Sequence, residues 1–189
     1  MQRIVHLISG GIDSVTLLYD LKQQGKDVHG LAFYYKQPHS IELTYARMRC
    51  QELGVPLIRH ELPGLGGLTT ADWVVPFRNA VMLSSAVNVA IHLQADTITI
   101  GCNADDSEMF PDCRSKFINT MQDLIYACGY KTAISAPYIG MAKAQVVQRA
   151  RELNVPIKGT WSCYAGLLEP CGTCLACVTR IAALSKEDQ

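Results

Sequence analysis

The chain has 189 residues, 49% hydrophobic and 18% charged, enough for one domain with a substantial core and too few for two large ones. Lys+Arg and Asp+Glu both number 17, a balance that gives no sign of a nucleic-acid groove or an anionic membrane surface. No apolar stretch approaches the ~20 residues a bilayer requires, and the first residues lack the three-part pattern of a secretory signal, so a cytoplasmic protein is expected.

In chain order, Arg3 to Ser9 reads as a buried strand, and Asp13 to Gln24 as a helix stopped by Gly25. Val28 to Tyr35 is the next strand, His39 to Leu53 a helix ended by Gly54, and Leu57 to Glu61 a third strand. Leu62 to Gly67 reads as loop. Val81, Leu83, Val87, Ala90 and Ile91 give Arg78 to Gln94 a helical period, and Thr97 to Ile100 is β-branched. A helix over 115–127, a strand over 133–136 and a helix over 142–153 close the series. Short buried strands alternating with helices predict a Rossmann-like α/β fold, a parallel sheet with helices on both faces. Ligands of such sheets sit beyond the carboxyl ends of the strands.

The turn after the first strand reads Ser9-Gly10-Gly11-Ile12-Asp13-Ser14. Its glycines permit positive φ and close backbone approach, and inward N–H groups with the positive end of a helix suit an anion. The serines add hydroxyl donors, and Asp13 could hold a magnesium ion. A plain strand-to-helix turn capped by Asp13 or Ser14 is the bland alternative. No Gly-Lys-Ser/Thr loop and no dinucleotide glycine fingerprint is present.

Of the 8 cysteines, Cys163, Cys171, Cys174 and Cys177 crowd together at spacings that suit a closed tetrahedral zinc site. An iron–sulfur cluster is the rival. Such a metal would pin the C-terminal helix to the domain, dividing the chain into a catalytic unit over 1–158 and a metal-binding element over 159–189. Cys50, Cys102, Cys113 and Cys128 read as buried small hydrophobes, and His6, His29, His60 and His92 as structural.

The Ser9–Ser14 turn resembles the pyrophosphate-binding SGGxDS loop of the ATP pyrophosphatases, whose fold is that of the adenine nucleotide alpha hydrolases. With Thr160-Trp161-Ser162-Cys163-Tyr164 and the later cysteines, the chain is similar to the 7-cyano-7-deazaguanine synthase (QueC) family. Phe110 to Arg114 with Asn103, Ala104 and Asp106, the Pro76, Arg78, Asn79 helix start, Tyr35, Gln37, His39 and Glu42, and Lys143-Ala144 carry the rest of the resemblance from Ile4 to Arg180.

The resemblance implies that ATP adenylates 7-carboxy-7-deazaguanine, that ammonia displaces AMP to give an amide, and that a second activation yields the nitrile preQ0. Ser9, Gly10, Gly11, Asp13 and Ser14 would clamp the departing pyrophosphate, while Lys143 and Arg78 would neutralise phosphate charge. His39 and Glu42 would handle ammonium or contact substrate; the alternative is a solvated helical turn. Tyr35, Gln37, Asn79, Asp106 and Asp112 would contact substrate or magnesium, the two aspartates being equally suited to turns. The implied co-substrate is ATP with Mg2+ and the implied partners are small molecules, with no membrane and no nucleic acid; a homodimer is left open. The chain departs from the family at Pro38, where an arginine is usual, at Met109-Phe110 in place of Gly-Tyr, and in a short 62–76 segment. Those departures leave room for an enzyme that stops at the amide or joins a deazaguanine to another acceptor. A tRNA thiolation enzyme and a non-catalytic nucleotide-binding module are the more distant alternatives.

Overall fold

The computed structural model describes residues 1–70 and 73–184; the 62–76 segment and the 159–189 element each extend into residues outside that set. Five strands, β1 (Arg3–Leu7), β2 (Asp27–Tyr34), β3 (Leu57–Glu61), β4 (Thr97–Thr99) and β5 (Ala133–Ser135), form one sheet in the order β3-β2-β1-β4-β5. Every pairing is parallel, with Ile4 opposite both Val28 and Thr97. The helices are α1 (Ile12–Gln23), α2 (Glu42–Glu52), α3 (Arg78–His92), α4 (Ala104–Met109), α5 (Ser115–Ala127), α6 (Lys143–Glu152) and α7 (Leu175–Ala183).

The strand period of two sorts β1 onto both faces. Ile4 and Ile8 join Val15, Leu18, Ala46, Val146 and Val147 from α1, α2 and α6. Val5 and Leu7 face the opposite way, onto Leu83, Ala86, Ile118 and Met121 from α3 and α5. Val15, Leu18, Leu83 and Val146 are fully buried, so truncating Leu18 or Leu83 to alanine costs about 2–5 kcal/mol. The chain leaves β1 toward β2 on one side and returns to β4 on the other. That reversal opens a crevice beyond the carboxyl ends of β1 and β4.

The turn residues behave as their chemistry dictates. Gly25 and Gly54 end α1 and α2 with φ of 69° and 62°. Some expectations shift. β1 ends at Leu7, and α2 begins at Glu42 with His39 in the preceding turn. The stretch after β4 contains α4, a helix too short and too acidic for a hydrophobic period to announce. A capping box makes it: Asn103 Oδ1 accepts from Asp106 N at 2.9 Å, and Asp106 Oδ2 accepts from Asn103 N at 3.2 Å. Cys128 is exposed, whereas Cys50, Cys102 and Cys113 are buried as expected. No described helix is long and apolar enough to cross a membrane.

Candidate active site

The crevice is lined by the turn after β1, the loop and α4 after β4, the start of α3, the turn after β2, and the cysteine-bearing segment with α7. In the first of these, Gly10 has φ 93°, and a Cβ there would lie 2.2 Å from Glu42 O and 2.9 Å from Ala46 N. Only glycine fits beneath the first turns of α2. Gly11 differs from expectation: it is extended, with φ −71° and ψ 156°, and serves as the N-cap of α1. Neither Asp13 nor Ser14 caps that helix. Ser14 Oγ instead donates to Gly11 O at 3.0 Å, and Gly11 N donates to Ser9 Oγ at 3.2 Å. The uncapped first turn of α1 keeps N–H groups for an anion.

His6 secures this turn from below. Its Nε2 lies 2.8 Å from Ser14 O and its Nδ1 2.9 Å from Thr99 Oγ1. A carbonyl can only accept, so Nε2 carries the proton and Nδ1 accepts from the threonine. Burial lowers its pKa to about 4, so the ring is a neutral strut between β1, β4 and α1.

Asp13 is held from two sides. Asn103 Nδ2 donates to Oδ1 at 3.2 Å, and Lys143, the first residue of α6, forms an ion pair with Oδ2. Asp105 Oδ2 in turn accepts from Lys143 N at 3.1 Å. Burial, then the Asp13 charge, raises Asp106 to about 6. Gly101 lets the β4 loop lie against α1, since a Cβ there would be 3.1 Å from Ser14 N.

The far wall is a compact polar cluster. Arg78 Nη1 donates to Tyr35 Oη at 2.8 Å. His39 Nε2 lies 3.5 Å from that hydroxyl and 3.6 Å from Glu42 Oε1, and Gln37 Nε2 donates to Glu42 Oε1 at 3.3 Å. Tyr164 stands against His39, ring centroids 5.5 Å apart. Burial lowers His39 to about 4, with the Arg78 charge adding to it, and raises Glu42 to about 7 against the pull of Arg78. Gly66 packs so closely on Tyr35 that a Cβ would meet Tyr35 O at 2.0 Å. Cys102 and Cys113 close the floor; the hydrogen bond Cys102 donates to Cys113, together with burial, keeps Cys102 a thiol.

The sulfurs of Cys163, Cys171, Cys174 and Cys177 lie within 4.8 Å of one another, and Cys171 N and Ala165 N donate to Cys163 Sγ at 3.3 and 3.4 Å. Four convergent thiols with amide donors to sulfur fit a tetrahedral metal ion. Trp161 lies beside them, its backbone N donating to Gly10 O at 2.9 Å. Arg180 of α7 donates to Thr160 Oγ1 at 2.8 Å and Ser162 Oγ at 3.1 Å.

Of the residues singled out from sequence, Ser9, Gly11, Asp13, Ser14, Tyr35, His39, Glu42, Arg78, Asn79, Asp106 and Lys143 all line this crevice. Gln37 acts behind it, with its Oε1 2.8 Å from Tyr35 N. Asp112 is committed elsewhere: its carboxylate accepts from Asn79 N at 2.9 Å and its carbonyl from Asn79 Nδ2 at 3.0 Å, so it caps α3 across space. Asn103, Ser162, Tyr164 and Thr179 line the crevice too. Asn103, Ser162 and Tyr164 stand inside the motifs that carry the family resemblance; nothing local marks Thr179.

The sequence model of the family described as "Queuosine biosynthesis protein QueC" matches residues 3–71 and 64–188. A 7-cyano-7-deazaguanine synthase of Caldicellulosiruptor bescii is 38% identical over 97% of this chain and 93% of its own length. Among solved structures, NMN synthetase from Francisella tularensis superposes with TM-score 0.60 at 17% identity, covering 87% of this chain and 67% of that one. A 4-thiouridine synthetase in complex with RNA and ATP gives 0.54 at 18% identity, covering 80% and 40%. At those identities the structures share the fold.

Proposed function

The chain belongs to the QueC family, and from that premise we propose that it converts 7-carboxy-7-deazaguanine, ATP and ammonia into 7-cyano-7-deazaguanine through an adenylated acid and an amide. A carboxylate oxygen attacks the α-phosphorus of ATP, the α–β bond breaks, and pyrophosphate leaves. Ammonia then forms a C–N bond as the C–O bond to AMP breaks. A second ATP activates the amide oxygen, and its departure as AMP leaves the nitrile.

The turn Ser9–Ser14, with Lys143 drawn to it across 130 positions, carries this reading. Its donors and the first turn of α1 favour charge that accumulates on departing pyrophosphate. In the resting pair Asp13 keeps Lys143 poised; an incoming phosphate competes for the same ammonium. Asp13 and Asp106 are the acids that would face a magnesium ion brought by ATP. Arg78, Tyr35 and Asn79 sit where the deazaguanine acid would be oriented, with Asp106 available to its N–H groups. Purified protein supplied with the acid, ATP and ammonium should yield AMP, pyrophosphate and nitrile. ADP as product would defeat the proposal, and accumulation of amide alone would favour the truncated reaction suggested by Pro38 and Met109-Phe110.

Zinc is the metal we assign to the four cysteines, where it would supply a closed structural crosslink. Metal analysis should find it, and a brown sample with cluster absorbance would replace it with iron and sulfur. A thiol-ligated site fits a reducing, cytoplasmic compartment. Residues 1–158 would carry the chemistry and 159–189 its metal-held wall.

A further inference from the structure

Ammonia is present as ammonium at neutral pH, and its nitrogen must shed protons twice. Two protons leave as ammonium becomes the amide nitrogen, one before attack and one when the C–N bond forms, and the other two leave when the activated amide becomes a nitrile. The carbon and nitrogen occupy the same place in both halves, so one base beside that nitrogen suffices. Resting on the reaction proposed above, we propose that Glu42 is this base, with the neutral ring of His39 beside it completing the nitrogen pocket.

The position of Glu42 supports the assignment. Its backbone lies against Gly10 of the phosphate turn, its carboxylate lines the crevice, and its side chain is only 15% exposed. Gln37 donates to one oxygen, Oε1, at 3.3 Å. His39 has a 6% exposed side chain, and its Nδ1 is buried without a hydrogen-bond partner, the nearby Tyr164 backbone not closing one. Its Nε2 is the ring atom on the Glu42 side, 3.6 Å from Oε1 and 3.5 Å from Tyr35 Oη, so ring and carboxylate face the same small polar space. The charged and titratable groups facing Glu42 are Arg78 from α3, Tyr35 and His39 from the β2 end, and Tyr164 from the cysteine-bearing segment. Burial outweighs Arg78 and lifts Glu42 to about 7, the range in which a carboxylate is basic enough to take a proton from nitrogen and still ionised in half the molecules.

The balance is closed in each half. In the first, ammonium gives up one proton to become nucleophilic, its nitrogen attacks the acyl carbon, a second proton passes to Glu42, and the C–O bond to AMP breaks. In the second, both N–H protons pass through Glu42 in turn, the first as adenylation of the amide oxygen gives the imidate and the last as the electron pair completes the C≡N bond and the C–O bond to AMP breaks; each proton is returned to solvent between transfers.

Glu42→Gln keeps the shape and hydrogen-bonding reach of the side chain while removing the base. Wild-type protein is first shown to form AMP from the acid, so failure there counts against the reaction and not against Glu42. The variant should still release pyrophosphate on adding acid and ATP, and hydroxylamine, a nucleophile unprotonated at neutral pH, should capture the adenylate at nearly the wild-type rate. It should lose a hundredfold or more in two assays, acid plus ammonium and amide plus ATP, and the rise of the wild-type rate through pH 7 should vanish. Retained nitrile formation from the amide would overturn the proposal, as would loss of pyrophosphate release in a variant that still binds ATP.

Discussion

Single residues in this protein owe their chemistry to where they are buried. Asp13 and Lys143 pair inside the crevice, so Asp13→Ala should abolish pyrophosphate release while metal content stays at the wild-type level; continued turnover would remove Asp13 from the phosphate clamp. Asp13 would act through Lys143, which it holds in place, and losing that arrangement is expected to cost about a hundredfold or more. His6 makes a separate prediction. Its folded pKa lies near 4 against an ordinary 6.5, so between those values the unfolded chain binds a proton that the folded chain refuses. Stability from His6 is therefore complete above pH 6.5 and drains as pH falls toward 4, by on the order of 3 kcal/mol. His39 adds a contribution of the same sign, whereas Glu42, raised to about 7, works oppositely between pH 4.5 and 7. The informative comparison is thus His6→Asn against wild type: urea midpoints should show a flatter acid limb in the variant, and an unchanged slope would contradict the neutral strut.

At the level of elements, the turn after β1 takes its shape because other elements press on it. Gly10→Ala would drive a methyl into α2's backbone at a φ of 93°, so this variant should lose both ATP binding and several degrees of Tm. A folded, ATP-binding Gly10→Ala protein would mean α2 can retreat. Helix α4 couples to the site through its cap: Asn103 both closes the capping box and donates to Asp13. Asn103→Ala should cost about 1 kcal/mol of stability and reduce the adenylation rate more than that loss explains. A rate equal to wild type would make Asn103 a cap and nothing else. The short acidic stretch over 104–109 shows why this element escaped a reading by periodicity: its hydrogen bonds come from a cap, and caps depend on the geometry of the preceding loop.

For the molecule as a whole, the four cysteines join the end of the chain to its beginning. Leu175, Ala176 and Thr179 of α7 line the crevice, and Trp161 bonds to Gly10. Stripping the metal with a chelator should therefore lower Tm, shift Trp161 emission to the red as its buried ring meets water, and weaken ATP binding together. A fall in Tm with ATP affinity intact would confine the metal to stability. The α/β architecture, the serine-flanked glycine turn after β1 and the clustering of four cysteines are legible in the chain, because each is written in neighbouring residues: strand and helix periods, Gly25 and Gly54 as stops, serines around Gly10 and Gly11, cysteines a few positions apart. Packing decided what local pattern cannot hold. It brought Asn103 and Lys143 to Asp13 from 90 and 130 positions away, sent Asp112 to cap α3, and buried His39 and Glu42 deeply enough to lower the pKa of the one and raise that of the other. Long-range partners and desolvation are properties of the folded surface, and only the tertiary structure sets them.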